Sequence, residues 1–486
     1  MVALYVLLCI LAVVVLLLLA AALRTLFIKN RLPKKQAPAV NKELAAKYAE
    51  ALGALLQCDT VNDAGLAPEE AARKFARFRA VLAQRFPLVH SRLEQVLLGD
   101  ALLYRWKGAD STKEAVVLMA HSDVVPATGS WQHPPFGGEI ADDRIWGRGA
   151  MDNKGSLCAI LQAAEGLLAE GFVPPCDIYL SSSNNEETMG DGAPKIVEYL
   201  KSQQVKLALA IDEGGAVVEA PLPGLKGLYA MVGIVEKGYA NVKFTAKSTG
   251  GHASTPPANT PLARLAAFVT EVEKHPPFAR KFSPPVRQMF EALAPSMNFP
   301  LRLVCGNLWL FEPLLCALLP KVSAQAAALL RTTCAFTMAQ GSSAANVIPE
   351  EASVTANLRF IMHQPMAESL AAITAVAEKY HLSTEVLYAH DCSPFVDTQS
   401  ETFAYLLQCV QENFPEAGVA PYIMLGGTDA RHFATYCPCT IRFAPTILTG
   451  QQLASMHGLD ENLGVDALAR AVGFYTYVLR NFAPKQ

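Results

Sequence analysis

The chain has 486 residues, of which 51% are hydrophobic and 17% charged, a balance typical of a folded globular protein and not of a disordered one. This length exceeds that of one ordinary domain, so we expect two domains besides a terminal segment. The formal net charge of −3 gives no reason to expect a nucleic-acid partner, and the 11 cysteines show no CxxC pair or regular spacing that would indicate a zinc finger or disulfide framework.

The N-terminal run 2–23 is uncharged and apolar, and it is long enough to cross a bilayer as a helix. No positive side chain precedes it, and it is longer than the apolar part of a usual signal peptide, so a retained single-pass anchor (1–23) is favoured. Secretion by way of a cleaved signal peptide is the alternative. A basic linker (24–40) follows the run, and the positive-inside rule then favours the cytoplasmic side for the rest of the chain.

After the linker, helical and strand-like patterns alternate. The patterns predict helices at 41–56, 68–86, 155–170 and 193–203, and strands at 95–98, 102–106, 115–120, 177–182 and 207–211. Such alternation is typical of an α/β fold with a mixed, mostly parallel sheet and flanking helices. A second series of strands and helices lies between 239 and 388, and the first pattern resumes after Pro394. We therefore predict a main domain formed by 41–235 and 394–486, with a smaller α+β lid or dimerisation domain inserted at 236–393.

Two ligand-like residues follow the apolar strand at 115–120. His121 and Asp123 enter a loop rich in proline and glycine, and a turn at 147–152 adds the carboxylate of Asp152. A neutral imidazole and carboxylates converging from strand ends suit a metal such as zinc. Taken alone, these residues are weak evidence, so the prediction depends on what the rest of the chain supplies.

Acidic pairs follow two further strands. Glu186–Glu187 and Asp212–Glu213 come directly after strand-like runs, where ligands of an α/β sheet gather. The alternative for each pair is a solvated charged surface. Late in the chain, the segment GGTDAR contains Arg431, whose guanidinium suits a carboxylate, and SMHGLDE contains His457, which by itself is more typical of an ordinary exposed histidine.

Taken together, the segments AHSDVVP, WGRGAMDNKG, NNEET, IDEGG, GGHAS, GGTDAR and SMHGLDE resemble, in their order and spacing, the dinuclear zinc metallopeptidase family of carboxypeptidase S and the aminoacylases. The resemblance extends from about Asn41 over the rest of the chain and implies a zinc exopeptidase-like fold. The segments EKG (236–238) and WLFEPL (309–314) are most similar to the branch of the N-fatty-acyl-amino-acid synthase/hydrolase.

The resemblance implies two Zn²⁺ ions per chain. One ion would be held by His121, Asp152 and Asp212, and the other by Asp152, Glu187 and His457. Asp152 would then bridge the ions, and the peptide bond that follows it is expected to be cis. Asn153 departs from the second aspartate that many relatives carry at this position.

The resemblance also assigns catalytic and substrate-binding roles. Glu186 would be the general base, Asp123 would orient His121, and His252 would stabilise the oxyanion, in many relatives by reaching across a dimer. Arg359 and Arg431 are candidates for binding a substrate carboxylate, with Asn346 as a polar partner. A solvated strand residue is the alternative for Arg359.

We therefore expect a zinc-dependent hydrolase that cleaves an amide bond in peptides or N-acyl amino acids. The inserted segment 275–330 contains the run LWLFEPLLCALL, which is apolar enough to line a groove for a long acyl group. With the membrane anchor, this run predicts a preference for hydrophobic acyl groups, and the resemblance implies a homodimer formed through the inserted domain. The alternatives are a dipeptidase or carboxypeptidase without lipid preference, and an inactive scaffold that keeps the fold; the latter is disfavoured because no expected ligand or base is missing.

Overall fold

The computed structural model describes residues 1–28, 35–63 and 65–483. Part of the predicted basic linker, 29–34, lies outside these ranges. A short 3-10 turn is found at Ala294–Ser296. In the described ranges, the α-helices are α1 Val2–Phe27, α2 Lys42–Leu56, α3 Pro68–Arg85, α4 Pro87–Arg92, α5 Lys154–Ala169, α6 Gly192–Ser202, α7 Pro261–Lys274, α8 Pro284–Leu293, α9 Phe299–Cys305, α10 Leu308–Val322, α11 Ala324–Leu330, α12 Met366–Lys379, α13 Glu401–Asn413, α14 Ala430–Phe433, α15 Gly450–Ser455 and α16 Val465–Asn481.

The strands are numbered in the same way. They are β1 Glu94–Leu98, β2 Ala101–Trp106, β3 Ala115–Met119, β4 Glu139–Ala141, β5 Arg144–Trp146, β6 Ile178–Ser182, β7 Leu207–Asp212, β8 Val217–Glu219, β9 Leu228–Glu236, β10 Tyr239–Lys247, β11 Gly251–His252, β12 Thr333–Gln340, β13 Val347–Ile348, β14 Glu351–Arg359, β15 Ser383–His390, β16 Gly418–Met424, β17 Thr440–Arg442, β18 Ile447–Leu448 and β19 Asn462–Gly464.

The largest sheet has the strand order β1-β2-β6-β3-β7-β17-β9-β8-β18, and β16 also pairs with β9. Its centre is parallel, because β3 runs parallel to both β6 and β7, and β17 runs parallel to β7. Antiparallel pairs, such as β1 with β2 and β8 with β9, lie towards its ends. The predicted α/β class with a large mixed sheet and flanking helices is confirmed.

Both faces of this sheet are covered. Along the fully buried strand β3, Val116 and Leu118 belong to one apolar cluster, while Val117 and Met119 belong to another on the opposite face. This division follows from the strand period of two, and a strand buried on both sides reads as an unbroken apolar run. Helices α2, α5 and α16 pack together on the first face, and α6 covers the second. The polar residues after each strand are thereby left at the sheet edge.

A second sheet is antiparallel, with the strand order β12-β14-β10-β15. Helices α7 and α12 cover one face of it, where Phe244 and Phe268 are buried at ring centroids 4.7 Å apart. Its strands come from the segment for which an inserted α+β domain was predicted. The exact boundaries at 236 and 393 stay a prediction.

Helices α8 to α11 do not pack with this second core. Apolar side chains from them, among them Phe290, Leu308 and Leu315, belong to the core of the main sheet. Helix α8 lies against strand β16 of that sheet. The segment 284–330 is thus an addition to the main domain in its packing, although in sequence it interrupts the smaller one.

Candidate active site

The parallel strands at the centre of the main sheet bring the first polar residues together. His121 follows β3, Glu186 and Glu187 follow β6, and Glu213 follows β7. Because β6, β3 and β7 are neighbours and parallel, their carboxyl ends meet at one edge of the sheet. The same edge receives Asp152 from the turn before α5.

One group of possible ligands consists of His121, Asp152 and Glu213. His121 Nε2 lies 2.9 Å from Asp152 Oδ1 and 3.2 Å from Glu213 Oε1. The His121 side chain is almost completely buried. An imidazole nitrogen and two carboxylate oxygens at these separations could converge on one cation.

A second group consists of Asp152, Glu187 and His457. His457 Nε2 lies 2.9 Å from Asp152 Oδ2 and 3.3 Å from Glu187 Oε1. Asp152 therefore turns one oxygen toward each histidine, which is the arrangement that a carboxylate bridging two cations requires.

The prediction that Asp212 belongs to the first group needs correction, because the structure places Glu213 there. Asp212 is the last residue of β7, and successive side chains of a strand point to opposite sides. Its carboxylate accepts a hydrogen bond from the Ala430 N–H at 2.7 Å, and Asp212 is not among the group formed by His121, Asp152 and Glu213. Burial and the neighbouring charge of Asp429 raise the pKa of Asp212 to about 7.

Asp123 holds two parts of the site in place. Its backbone carbonyl lies 3.0 Å from His121 Nδ1, and its carboxylate oxygen Oδ1 lies 3.4 Å from the same atom. The carboxylate also accepts hydrogen bonds from the N–H groups of Glu186 and Glu187, each at 3.1 Å. The predicted orienting role thus extends from the histidine to both glutamates.

Sequence reasoning missed the role of Glu461, although the SMHGLDE segment contains it. The fully buried carboxylate accepts hydrogen bonds from Met151 N–H at 2.8 Å and Asp152 N–H at 3.1 Å, and it pairs with Arg148 Nη1 at 2.7 Å. It therefore fixes the backbone from which Asp152 projects. The peptide bond between Asp152 and Asn153 is cis, as expected.

The electrostatics of the site reflect crowding of acids in a buried space. Burial raises the pKa of Glu186 well above its usual range; His121 opposes this rise, and the negative charges of Asp429 and Glu187 add to it. Hydrogen bonds to Asp152 and Glu187 raise the pKa of His457 to about 10. A concentration of buried carboxylates of this kind is stabilised by cations.

These groups line a cleft with a volume of about 460 Å³. Arg359 and Arg431 both reach it, and the Arg359 guanidinium lies 4.5 Å from the ring centre of Tyr239. Four methionines, Met151, Met189, Met424 and Met456, contribute apolar surface to it. The cleft thus combines acids, two guanidinium groups and flexible apolar side chains.

His252 and Asn346 lie elsewhere in this structure. Both are exposed and neither lines the cleft as the described residues form it. They are neighbours, since β11 pairs with β13 and the Ala253 N–H donates to the Asn346 carbonyl at 3.0 Å. Within one chain, the cleft therefore forms without His252 and Asn346, whereas Arg359, which also belongs to the predicted inserted domain, does line it.

Residues 117–481 match the model of peptidase family M20/M25/M40. The chain belongs to this family. Membership makes it a hydrolase of the metallopeptidase type and confirms the resemblance seen in the sequence. Its M20 relatives include the N-fatty-acyl-amino acid synthase/hydrolase PM20D1 of Xenopus tropicalis, 34% identical over 449 residues that cover 90% of this chain and 87% of the relative. Carboxypeptidase S of Saccharomyces cerevisiae is 26% identical over 456 residues, covering 84% of this chain and 78% of the relative.

Solved M20 structures share the fold. The M20 metallo-carboxypeptidase Sso-CP2 of Sulfolobus solfataricus superposes with a TM-score of 0.65 at 17% identity, covering 89% of this chain and 98% of that one. Human carnosine dipeptidase 1 gives a TM-score of 0.63 at 14% identity, covering 92% and 99%. At these identities the likeness shows the architecture alone.

Proposed function

We propose that this chain uses two zinc ions to hydrolyse the amide bond of N-acyl amino acids, and that it prefers hydrophobic acyl groups. The observation that carries the proposal is the pair of oxygens of Asp152, each turned toward a different histidine at 2.9 Å. Relatives named as N-fatty-acyl-amino acid synthase/hydrolase and as carboxypeptidase S support the same class of amide bond.

The donor set fits zinc. Each group offers one imidazole nitrogen and carboxylate oxygens from two residues, all within 4.8 Å of one another. Three protein ligands with a position left for water or substrate are typical of catalytic zinc sites. The cleft opens onto both groups, since Asp152, Glu187, Glu213 and His457 all line it.

Bound zinc would polarise the scissile carbonyl and lower the pKa of the attacking water. Glu186 takes a proton from that water and passes it to the leaving nitrogen. Asp123 fixes the Glu186 backbone through the N–H bond at 3.1 Å and so sets where the carboxylate points.

The two cleft arginines are suited to the carboxylate of the amino-acid part of the substrate. A guanidinium forms charge-assisted, often paired hydrogen bonds with a carboxylate. Arg431 is held by its own Nη1–H bond to the Thr428 carbonyl at 3.0 Å, and Arg359 is held against Tyr239. Both are therefore placed before substrate arrives.

The acyl group would lie against the four cleft methionines. Methionine is flexible and polarizable, so it adapts to acyl chains of different shape. The run LWLFEPLLCALL, from which an acyl groove was predicted, contributes no residue to the cleft lining. This part of the prediction is corrected: the apolar wall of the cleft includes Met424 at the end of β16 and methionines from loops of the main domain.

The test combines metal content with a substrate panel. We expect wild-type protein to contain about two zinc equivalents per chain and to hydrolyse N-oleoyl amino acids faster than their N-acetyl counterparts. Glu186→Gln should retain the metal and lose activity by at least about 100-fold, the usual contribution of a general base. The exposed Glu198→Gln variant is the matched control and should behave like wild type.

Two outcomes would contradict parts of this proposal. Full activity of Glu186→Gln would refute the assigned base, and equal rates on both acyl groups would favour a carboxypeptidase or dipeptidase without lipid preference.

We also propose that His252 acts in the cleft of a partner chain in a homodimer. Its exposure on the inserted domain, away from the cleft of its own chain, supports this arrangement. The test mixes two inactive variants, His252→Ala and Glu186→Gln, after unfolding and refolding them together. Mixed dimers would contain one intact site, so activity should return to roughly a quarter of wild type if the two chains assort at random. No return of activity, with dimers present, would contradict the proposal.

The third part of the proposal concerns α1, which is long and apolar enough to cross a membrane. We propose that it is a retained anchor. In that case the full chain should stay in the membrane fraction after washing with alkaline carbonate. Release into the supernatant, together with loss of the first residues, would instead indicate a cleaved signal peptide.

A further inference from the structure

Helix α10 presents an apolar stripe to the outside of the molecule. Its exposed residues lie along one side of the helix and are Trp309, Pro313, Leu314, Ala317, Leu318 and Val322, with Lys321 near the end. Trp309 is 50% exposed and Leu318 47%. A helix on the surface of a water-soluble domain shows the reverse pattern, with polar residues outside. We call this side of α10 the apolar stripe.

The acid of α10 faces inward. The Glu312 carboxylate pairs with Arg287 and accepts a hydrogen bond from the Phe282 N–H at 3.3 Å. Leu308 and Leu315 are buried in the main core. One side of α10 is thus packed against the protein. The Glu312 carboxylate pairs with Arg287 on that side and does not add a charge to the outer side of the helix.

The start of α10 is joined to the end of α1. Asn307, which precedes α10 and is fully buried, donates a hydrogen bond from Nδ2 to Thr25 Oγ1 at 2.9 Å and lies 3.3 Å from the Ala21 carbonyl. Arg302 of α9 donates to the Ile28 carbonyl at 3.3 Å. The earlier residues of α1 are exposed. The apolar stripe therefore begins beside the point where α1 leaves the protein.

Helix α10 alone is too short to cross a bilayer. It has 15 residues, a length of about 22 Å at the α-helical rise, whereas a bilayer core is about 30 Å thick. It is also bent by 100° from α9. A helix fixed on one side, apolar on the other and this short suits the plane of the interface, where tryptophan and lysine are favoured.

We propose that the apolar stripe of α10, together with the 47% exposed Phe299 at the start of α9, inserts into the bilayer that α1 enters and holds the main domain on the membrane surface. The proposal rests on the membrane anchor proposed above. A phospholipid bilayer is the favoured occupant, and not a second copy of the chain, because the stripe is continuous with α1. Substrates partitioned into the membrane would then be close to the enzyme.

The experiment uses the full chain reconstituted into phosphatidylcholine vesicles with and without bromine on the acyl chains. Bromine quenches tryptophan fluorescence only at short range, so quenching reports contact with the acyl region. The chain has 4 tryptophans. We expect Trp309→Phe to reduce the quenched fraction at least twofold, whereas Trp131→Phe, which removes an unquenched tryptophan of the main domain, should not lower it. If Trp309→Phe is quenched as strongly as wild type, the proposal is overturned.

A second measurement separates lipid from protein as the occupant. A photoactivatable benzoylphenylalanine at position 318 should cross-link to lipid in the vesicles, and the same group at Val173, which is 61% exposed elsewhere, should not. Cross-linking of position 318 to a second copy would overturn the proposal. Zinc content and hydrolysis of a water-soluble substrate in detergent are measured on the same samples. They report on the proposed chemistry, and carbonate extraction reports on α1, so each failure can be recognised separately.

Discussion

Asp152 joins the two halves of the candidate metal centre through one side chain. Its oxygens lie 2.9 Å from His121 and 2.9 Å from His457, two residues that belong to distant parts of the sequence. Hydrogen bonds to these histidines outweigh burial and hold the pKa of Asp152 below its usual range. The residue is therefore ionised throughout the pH range in which the histidines can bind metal.

The third possible ligand of the first group, beside His121 and Asp152, can be tested directly. The candidates are two adjacent residues, Asp212 and Glu213. We expect Glu213→Gln to reduce bound zinc from about two equivalents to about one, since the amide oxygen is a poorer ligand than a carboxylate. Asp212→Asn should keep both equivalents, because the Asp212 side chain points toward Ala430. Metal analysis of dialysed protein measures both. Loss of zinc from Asp212→Asn alone would restore the original assignment.

These residues show where sequence reasoning reaches its limit at the smallest scale. The segment IDEGG placed an acid at the end of β7, and the structure indeed has acids there. Which of the two neighbours, Asp212 or Glu213, joins the group of possible ligands depends on the residue at which the alternation of the strand stops. The role of Glu461 was not predicted for another reason. Its partners include the backbone N–H groups of Met151 and Asp152, and a sequence does not show which backbone groups a side chain will bind.

At the scale of elements, the buried pair Glu236–Arg442 connects β9 to β17. Arg442 Nε donates to Glu236 Oε1 at 2.8 Å, both side chains are at most 1% exposed, and Thr428 donates to the same carboxylate. Arg442 Nη1 also donates to the Thr440 carbonyl at 2.8 Å. The pair lies below the loop that carries Arg431, so it supports one wall of the cleft.

Removing the cation of this pair should destabilise the fold strongly. We expect Arg442→Met to lower the free energy of unfolding by about 3–5 kcal/mol, because a buried carboxylate would be left uncompensated. The double variant Glu236→Leu/Arg442→Met should recover much of that loss. Arg480→Met, which removes an exposed pair with Glu170, should cost no more than about 1 kcal/mol. Urea denaturation measures all three, and equal losses for the two arginine variants would contradict this account.

Sequence patterns located the helices whose apolar residues recur with an unbroken helical period. Observed bounds of α2, α5 and α6 lie within one residue of those predicted, since each has a continuous helical period. Strands β9, β12, β16 and β17 were missed. Gly233 interrupts the pattern of β9, Pro421 that of β16, and β17 has only 3 residues. These strands are held by tertiary pairing and not by local preference.

At the scale of the whole molecule, Lys237 makes stability depend on pH. Its ammonium donates to the carbonyls of Ala328 and Arg331 at 2.9 and 2.8 Å and thus joins β9 to the end of α11. Burial, with the neighbouring charges of Arg359 and Arg331, lowers its pKa from the ordinary 10.5 to about 7. Between these values the unfolded chain binds the extra proton, so the stability contributed by this lysine rises with pH.

We therefore expect wild-type protein to gain stability from pH 7 to pH 9.5 relative to Lys237→Met, in which the titrating group is absent. The midpoint of urea unfolding measured at both pH values gives the difference. Lys206→Met, a change at an exposed lysine, is the control and should follow wild type. Parallel curves for wild type and Lys237→Met would contradict the prediction.

The overall architecture could be predicted because strand and helix patterns alternate over most of the chain, and the large mixed sheet confirms the predicted class. The packing of α8 to α11 against the main sheet could not be predicted from the sequence. Their apolar residues fit either core by composition, and only the three-dimensional arrangement assigns them to the main one. For the same reason, the sequence indicated an apolar run at 308–319 but not that its exposed side faces away from the cleft.

The order of the main sheet has a consequence for how the protein is made. Strand β17 fills the place between β7 and β9, and its Arg442 pairs with Glu236, 206 residues earlier in the chain; His457 meets Asp152 across 305 residues. During synthesis on the ribosome, the main sheet therefore lacks β17 between β7 and β9 until residues 440–442 have been made. The antiparallel sheet draws all its strands from 239–390, so it can be complete before that gap closes. We expect newly made chains to depend on chaperones during this interval, and the two groups of possible ligands around Asp152 come together only after it.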